Sequence, residues 1–257
     1  MKGLSGIEKK ELIPDDLIFL GYRGSIAHGM YVPKNDPNSI DDKDLLACIV
    51  PPIENYFGLN QFGSRGTKEF TFEEYDVVTY ELRKFIGLLE KGNPNVLSTL
   101  WLEPNYYINV TTGGQMLIDN RQIFVGKHVY NSFVGYAKGQ LHRMTHNAYE
   151  GYMGEKRKSL VEKFGYDCKN AAHSIRLLRM AIEFLSQGKL IVLRPDASEL
   201  LEIKRGEWSL EHVKLEADYL FKRAEEALIH SKLPDQPDHT TINTLCVAIA
   251  ERSFYGL

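Results

Sequence analysis

The sequence predicts an α+β fold in which an N-terminal mixed sheet with flanking helices is followed by a C-terminal helical bundle. Short apolar runs bounded by glycine, proline and other turn formers fill the first part of the chain, which is typical of strands. From about residue 115 onward, apolar residues instead recur at helical spacing and the connectors are short. We therefore expect two domains, comprising residues 1–110 and 111–257.

Three strands are predicted in the N-terminal half, at residues 17–22, 43–50 and 70–82. The first is the short apolar run LIFLGY, and a Gly-Ser pair follows it. The second, KDLLACIV, ends before two prolines, which cannot continue a ladder of backbone hydrogen bonds. The third, FTFEEYDVVTYEL, mixes aromatic and β-branched residues. The segment between the second and third strands is expected to be irregular.

Helical patterns follow the third strand. The segment ELRKFIGLLEKG places four apolar residues on one face, and Gly92 with Pro94 ends the pattern. These residues are Leu82, Phe85, Leu88 and Leu89. The segment EPNYYINVTTGG is interpreted as a linker or a short extended piece. Further helices are expected at residues 115–122, 129–163, 167–188, 198–204 and 209–231, and a final one near Thr241.

Composition narrows the classes of protein that this chain can belong to. The formal net charge is −3, so no overall basic field attracts nucleic acid, and any such contact needs a local patch. The three cysteines are far apart and lack the close pairs of a zinc site, which indicates reduced thiols in a cytoplasm. The N-terminus lacks the apolar run of a signal peptide, and no uncharged stretch is long enough to span a bilayer. We expect a cytoplasmic protein with no membrane partner.

Two aspartates stand at the start of the second predicted strand. Because side chains alternate along a strand, Asp42 and Asp44 point to one face and Lys43 to the other. Two carboxylates this close repel each other unless a cation lies between them. Oxygen ligands without nearby cysteine or histidine favour Mg²⁺ or Mn²⁺ over zinc, and such ions commonly also bind substrate phosphates. The alternative is an ordinary solvated acidic loop.

A phosphate-binding turn is expected beside these aspartates. Gly24 and Ser25 follow a strand and precede a short helix, so the backbone can approach a phosphate closely and the hydroxyl can donate to it. Arg23, directly before them, is a further phosphate-binding candidate. A third carboxylate would complete a site for two metal ions. Asp76 in the next predicted strand is the best candidate, with Glu74 as its rival.

These motifs resemble the DNA polymerase β-like nucleotidyltransferase superfamily, whose pattern is a Gly-Ser pair, a spacer, and D-x-D with apolar residues behind it. The resemblance is to a branch found in bacteria and phages and associated with RNA repair, and it extends over RGSIAHG, DDKDLLACIV, DVVTYELRKFIGLLEKGNPNVLSTLWL and CKNAAHSIRLLRMAIEFLSQGKLIV. The phrase KGNPN is specific to that branch. One departure is the spacer, because sixteen residues separate Ser25 from Asp42, several more than is usual. The longer spacer admits Asp41 or Asp36 as alternative ligands.

The resemblance implies a nucleotidyltransferase-type sheet domain, a helical domain that completes the substrate cleft, and a defined reaction. A nucleoside monophosphate would pass from an NTP such as ATP to an acceptor hydroxyl, releasing pyrophosphate, with two Mg²⁺ or Mn²⁺ ions. Asp42 and Asp44 would bind both ions, while Asp76 would bind the catalytic ion and help to deprotonate the acceptor. The acceptor would be an RNA or DNA end, including a tRNA end, a protein hydroxyl or a small molecule. The location would be a bacterial cell or a phage-infected host.

A basic stripe is expected on the predicted helix 167–188. Lys169, His173 and Arg176 follow spacings of four and three, and Arg179 comes next. The stripe would bind the triphosphate or the phosphates of the acceptor, the alternative being a plain solvated face. A second function also stays open, namely a catalytically silent nucleotide-binding regulator of a phage-defence or toxin–antitoxin system. The intact Gly-Ser and D-x-D motifs argue against it.

Overall fold

The computed structural model describes residues 16–36, 39, 41–146 and 155–256, and it confirms the predicted α+β class. The chain forms two compact units. The first unit comprises the residues up to Ala27, Asp42–Phe124 and the residues from Pro237 onward. The second unit comprises His28–Asp41 and Val125–Gln236. The chain thus passes between the units four times, whereas the predicted domains 1–110 and 111–257 would require one passage.

A five-stranded mixed sheet forms the centre of the first unit. Its strands are β1 (Leu17–Tyr22), β2 (Lys43–Ile49), β3 (Thr67–Phe72), β4 (Tyr75–Glu81) and β5 (Tyr107–Val110). The strand order is β3-β4-β2-β1-β5, with β2 and β4 parallel and the other three pairs antiparallel. The predicted strand 70–82 is therefore a hairpin of two strands, and the predicted linker contains an edge strand.

Eleven α-helices are present among the described residues. They are α1 (Gly24–Ala27), α2 (Glu54–Phe57), α3 (Leu82–Glu90), α4 (Pro94–Leu97), α5 (Thr112–Asp119), α6 (Val129–His146), α7 (Glu155–Phe164), α8 (Cys168–Gln187), α9 (Ala197–Lys204), α10 (Leu210–His230) and α11 (His239–Tyr255). Both α6 and α7 lie within the predicted helix 129–163, whose residues 147–154 fall outside the described part of the chain. None of the described helices combines the length and apolar character that a membrane crossing requires.

Helix α3 packs on the sheet and begins directly where β4 ends. The carboxylate of Glu81 accepts hydrogen bonds from the backbone N–H groups of Lys84 (2.9 Å) and Arg83 (3.0 Å), so the last residue of the strand is also the N-cap of the helix. Phe85 is fully buried and its ring centroid lies 5.2 Å from that of Phe19 on β1. The strand-to-helix junction is therefore held by both a cap and a core contact.

In the second unit, α8 packs against both α6 and α10. The apolar side of α8 is buried at Leu177, Leu178, Ala181 and Leu185. The hydroxyl of Ser174 donates to a backbone carbonyl of α6 at 3.0 Å, which satisfies a polar group in the middle of this contact. The helical character of the second half of the chain is thus confirmed.

Candidate functional site

The turn after β1 brings the backbone against an aspartate of β2. The backbone N–H of Arg23 donates to the carbonyl of Asp44 at 3.0 Å. Gly24 has a φ of +63°, and a Cβ placed on it would lie 2.5 Å from Oδ2 of Asp44. A side chain is therefore disfavoured twice, by the left-handed backbone and by the neighbouring carboxylate. Ser25 follows within the single turn of α1 and is half-buried.

Two of the three predicted carboxylates are register partners. Asp44 on β2 pairs with Asp76 on the parallel strand β4, so their side chains lie on the same face of the sheet. Asp42 is exposed, stands just before β2 and is two residues from Asp44 along the chain. The next strand adds Thr71, the register partner of Asp76, whose hydroxyl donates to Oδ1 of Asp76 at 3.1 Å. A polar row therefore crosses β2, β4 and β3.

The guanidinium of Arg23 places a positive charge beside this row. Its Nη2 lies 3.2 Å from Oδ1 of Asp44, and both side chains are about one quarter exposed. Its Nε is buried and has no hydrogen-bond partner among the described residues. A buried donor without a partner is uncommon in a native fold, and this N–H can donate a hydrogen bond to an oxygen of a ligand. Arg23 therefore has the position and a spare donor for an anion beside Asp44.

The donor set suits a hard divalent cation, because it consists of carboxylate oxygens without sulfur or imidazole. Within the described part of the chain, however, no three His, Cys, Asp or Glu side chains are grouped closely enough to hold a metal ion. The structure thus supplies two register-paired carboxylates, Asp44 and Asp76, with Asp42 nearby in sequence.

The rival carboxylate, Glu74, lies elsewhere. It belongs to the turn between β3 and β4, is exposed, and forms an ion pair with Lys43. The register partner of Lys43 is Tyr75, so Lys43 and Glu74 belong to the end of the sheet rather than to the row of Asp44. The structure therefore brings Asp76, and not Glu74, beside Asp44.

Asp41, considered as an alternative ligand, is taken up by contacts inside the second unit. It is buried, accepts a hydrogen bond from the backbone N–H of Val32 at 2.9 Å, and forms an ion pair with Lys204. Nζ of Lys169 lies 3.7 Å from its other carboxylate oxygen. Burial lowers the pKa of Lys204, and Asp41 opposes that shift. Sequence reasoning missed this role, because nothing in the local pattern separates Asp41 from Asp42.

The predicted basic stripe on α8 is not a solvated face. Arg176 is buried, its Nη1 lies 2.7 Å from Nε2 of His28, and burial lowers its pKa to about 9. The ring of His173 meets Tyr136 edge-on at 5.5 Å. Arg179 forms ion pairs of 2.8–2.9 Å with three carboxylates of its own unit, on Asp196, Glu199 and Glu216. The phosphate-binding role of Lys169, His173 and Arg176 stays a prediction.

Comparison with known proteins places these features in context. The model of one protein family, described as "RlaP: RNA repair pathway DNA polymerase beta family", matches residues 1–248. No curated protein sequence matches the chain. A solved structure of a nucleotidyltransferase-like protein from Exiguobacterium sibiricum 255-15 is 10% identical, with 98% of this chain and 77% of that chain covered and a TM-score of 0.31. A TM-score this low carries no argument about fold or function.

Proposed function

Because the chain belongs to the RNA repair pathway DNA polymerase beta family, we propose that it is a nucleotidyltransferase acting on an NTP and an acceptor hydroxyl. The acceptor oxygen forms a bond to the α-phosphorus, the bond from the α-phosphorus to the bridging oxygen breaks, and pyrophosphate leaves. The observation that carries the proposal is the pairing of Asp44 with Asp76 beside a glycine whose backbone and surroundings disfavour any side chain. Two carboxylates with a closely approaching backbone suit a phosphoryl substrate.

Asp42, Asp44 and Asp76 are the residues that would hold Mg²⁺ or Mn²⁺, on the chemistry of their oxygen donors. Such an ion, when bound, would offset charge on the triphosphate and make the acceptor hydroxyl easier to deprotonate. Asp76 accepts the proton from the acceptor hydroxyl in this proposal, and the hydroxyl of Thr71 holds the orientation of the Asp76 carboxylate. Most of the catalytic effect is positioning and charge stabilisation.

The turn after β1 binds the phosphates in the same proposal. The absence of a side chain at Gly24 lets a phosphate approach the backbone, and Ser25 donates through its hydroxyl. The unpaired Nε of Arg23 supplies a charge-assisted hydrogen bond.

In the decisive experiment, the protein is incubated with each α-labelled NTP, Mg²⁺ and a pool of cellular RNA, protein and metabolites. The measurement is which acceptor in the pool becomes labelled. Asp44→Asn should abolish detectable transfer, and the double variant Asp42→Asn with Asp44→Asn should do the same while remaining folded. Glu74→Gln is the matched control, because it removes a carboxylate two residues from Asp76 that lies outside the polar row. Transfer at wild-type rate by the double variant would remove the catalytic assignment.

A second candidate is a regulator that binds a nucleotide without turning it over. Titration calorimetry with NTP and Mg²⁺, set beside a pyrophosphate-release assay, separates the two functions. Saturable binding with no pyrophosphate release from any acceptor pool would favour the regulator.

A further inference from the structure

A cavity lies in the same unit as Asp44 and Asp76. Its volume is about 540 Å³, within the range of pockets that hold small ligands, and its polar lining includes Ser64, Arg65, Tyr80, Lys84 and Asn93. The loop before β3, strands β3 and β4, and the face of α3 form its walls. No role in the reaction proposed above uses these side chains.

The cavity opens on the face of the sheet that carries the carboxylates. Tyr80 and Asp76 are both on β4 and four residues apart, so their side chains share a face and lie about 13 Å apart along the strand. Thr67, which also lines the cavity, is the register partner of Tyr80, just as Thr71 is the register partner of Asp76. The cavity and the carboxylate row therefore lie at two positions on the same face of the sheet.

The lining is rich in donors that the protein itself does not use. Among the described residues, no carboxylate lies within ion-pair distance of Arg65 or Lys84, and the hydroxyl of Tyr80 has no hydrogen-bond partner. Asn93 uses its side-chain oxygen to cap α4, through the N–H groups of Asn95 and Val96, which leaves its amide N–H₂ available. Glu69 is the acidic residue of the lining. Two cations against one acid make the cavity a site for an anion.

The backbone at Arg65 gives an independent indication of use. Arg65 has a φ of +52°, a left-handed conformation that disfavours side chains and is usually left to glycine. The loop is held there by backbone hydrogen bonds, from Ser64 to Thr67 (2.8 Å), from Gly66 to Phe62 (3.1 Å) and from Glu81 to Gly66 (3.0 Å). A strained arginine in a fixed loop points to a function for its side chain.

We infer that this cavity binds a nucleotide unit of a polynucleotide acceptor strand, and this inference rests on the proposed transferase function. Arg65 and Lys84 contact the phosphates of the strand, and the ring of Tyr80 offers a surface for a base. The chain as a whole carries a net charge of −3, so a strand needs a local basic site of this kind.

The location favours an acceptor over the NTP. The charge of an NTP is concentrated in its triphosphate, which the proposed function places at Gly24 and the carboxylates. The ribose and base of the same molecule are uncharged and do not require two cations. A polynucleotide carries a phosphate at every residue. The end of its strand can therefore bind at the carboxylate row while a neighbouring phosphate of the same strand binds in the cavity.

The test measures binding of a labelled single-stranded RNA decamer by fluorescence anisotropy, without NTP or metal and at several salt concentrations. Arg65→Asn and Lys84→Gln should each raise Kd by about tenfold, the loss expected for a charge-assisted hydrogen bond. Each should also reduce the slope of log K against log salt by about 0.7, the value for one single-strand phosphate contact. Arg65→Asn should not lower Tm, because asparagine tolerates the left-handed conformation.

Lys68→Gln is the matched control. Lys68 is on β3 between two lining residues but points to the opposite face, where its Nζ lies 4.5 Å from the ring centroid of Phe62. It removes the same charge, and its Kd should change less than twofold. Wild-type affinity in Arg65→Asn and Lys84→Gln, or an equal loss in Lys68→Gln, would overturn the inference.

Two further arms separate this inference from the proposed function. Affinity for free ATP is measured on the same variants, and a loss confined to ATP would assign the cavity to the NTP and overturn the inference. A DNA decamer, run in parallel, distinguishes RNA from DNA as the source of the strand. Because binding is measured without turnover, Asp44→Asn should still bind the decamer, so failure of transfer and failure of this site give different results.

Discussion

Replacing Gly24 by alanine tests the close approach between the turn after β1 and the carboxylate of Asp44. The φ of +63° costs an alanine roughly 1–2 kcal/mol. The new Cβ would also lie 2.5 Å from Oδ2 of Asp44, so the carboxylate has to move and its contact with Arg23 weakens. A partly exposed ion pair of this kind contributes about 0.5 kcal/mol.

The expected loss in the free energy of unfolding is therefore about 1.5–2.5 kcal/mol, which lowers Tm by about 3–10 °C in a chain of this size. Transfer activity should fall by about a hundredfold, because a displacement near 1 Å of a positioning group has an effect of that order. Thermal unfolding followed by circular dichroism gives the first quantity. Transfer from an α-labelled NTP, at a temperature well below the transition, gives the second.

Two other glycines separate the contributions. Gly87 lies inside α3 with no atom within 4 Å of an added Cβ, so Gly87→Ala should raise stability by about 0.5–1 kcal/mol. Gly165 has a φ of +78° and equally open surroundings, so Gly165→Ala should show backbone strain without a collision. Wild-type transfer in Gly24→Ala, or an equal loss of transfer in Gly165→Ala, would refute the argument.

Two predictions concern the second unit. Burial and the neighbouring Arg176 hold the pKa of His28 well below its usual value, so below about pH 6.5 the unfolded chain binds a proton that the folded chain does not. Stability should thus fall as the pH decreases from 6.5, by up to about 1.4 kcal/mol per pH unit. In His28→Asn, the free energy of unfolding from denaturant titrations should depend less steeply on pH. Lys204→Met leaves the buried carboxylate of Asp41 with a weaker partner and should cost about 3 kcal/mol, whereas an unchanged urea midpoint would contradict the pairing.

The first two strands and the motifs beside them could be predicted from sequence because they carry strong local signals. Apolar runs bounded by Gly-Ser and by Pro51-Pro52 match β1 and β2 to within a residue or two. The alternation of the strand then predicts that Asp42 and Asp44 share a face. The family assignment follows from the same segments, and the family match over residues 1–248 confirms it.

The hairpin of β3 and β4 could not be found in this way. Its turn consists of Glu73 and Glu74, and Glu73 takes a φ of +54° without being glycine or asparagine. Turn chemistry therefore gives no signal, and aromatic and β-branched residues run on through both strands. The pairing of Asp44 with Asp76 is a tertiary property of the parallel register, which no local pattern encodes.

The spacing of charged residues also does not distinguish exposed basic side chains from buried ones on α8. Lys169, His173 and Arg176 have the spacing of a solvated stripe, but Arg176 is buried against His28, which is 148 residues away along the chain. Helical periodicity reports which residues share a face and does not report what covers that face. His28 and Asp41 are likewise held by partners distant in sequence, Val192 and Lys204 respectively.

The long spacer between Ser25 and Asp42 has a consequence for any attempt to express half of this protein. Its described residues supply His28, which hydrogen-bonds Val192 at 2.9 Å, and Asp41, which pairs with Lys204, so they belong to the fold of the helical unit. A fragment ending at residue 110 would retain this spacer without those partners and would lack α11, which packs on α3 and α5. Truncation at a single position should therefore give insoluble material, and isolating either unit would require circular permutation or co-expression of the missing pieces.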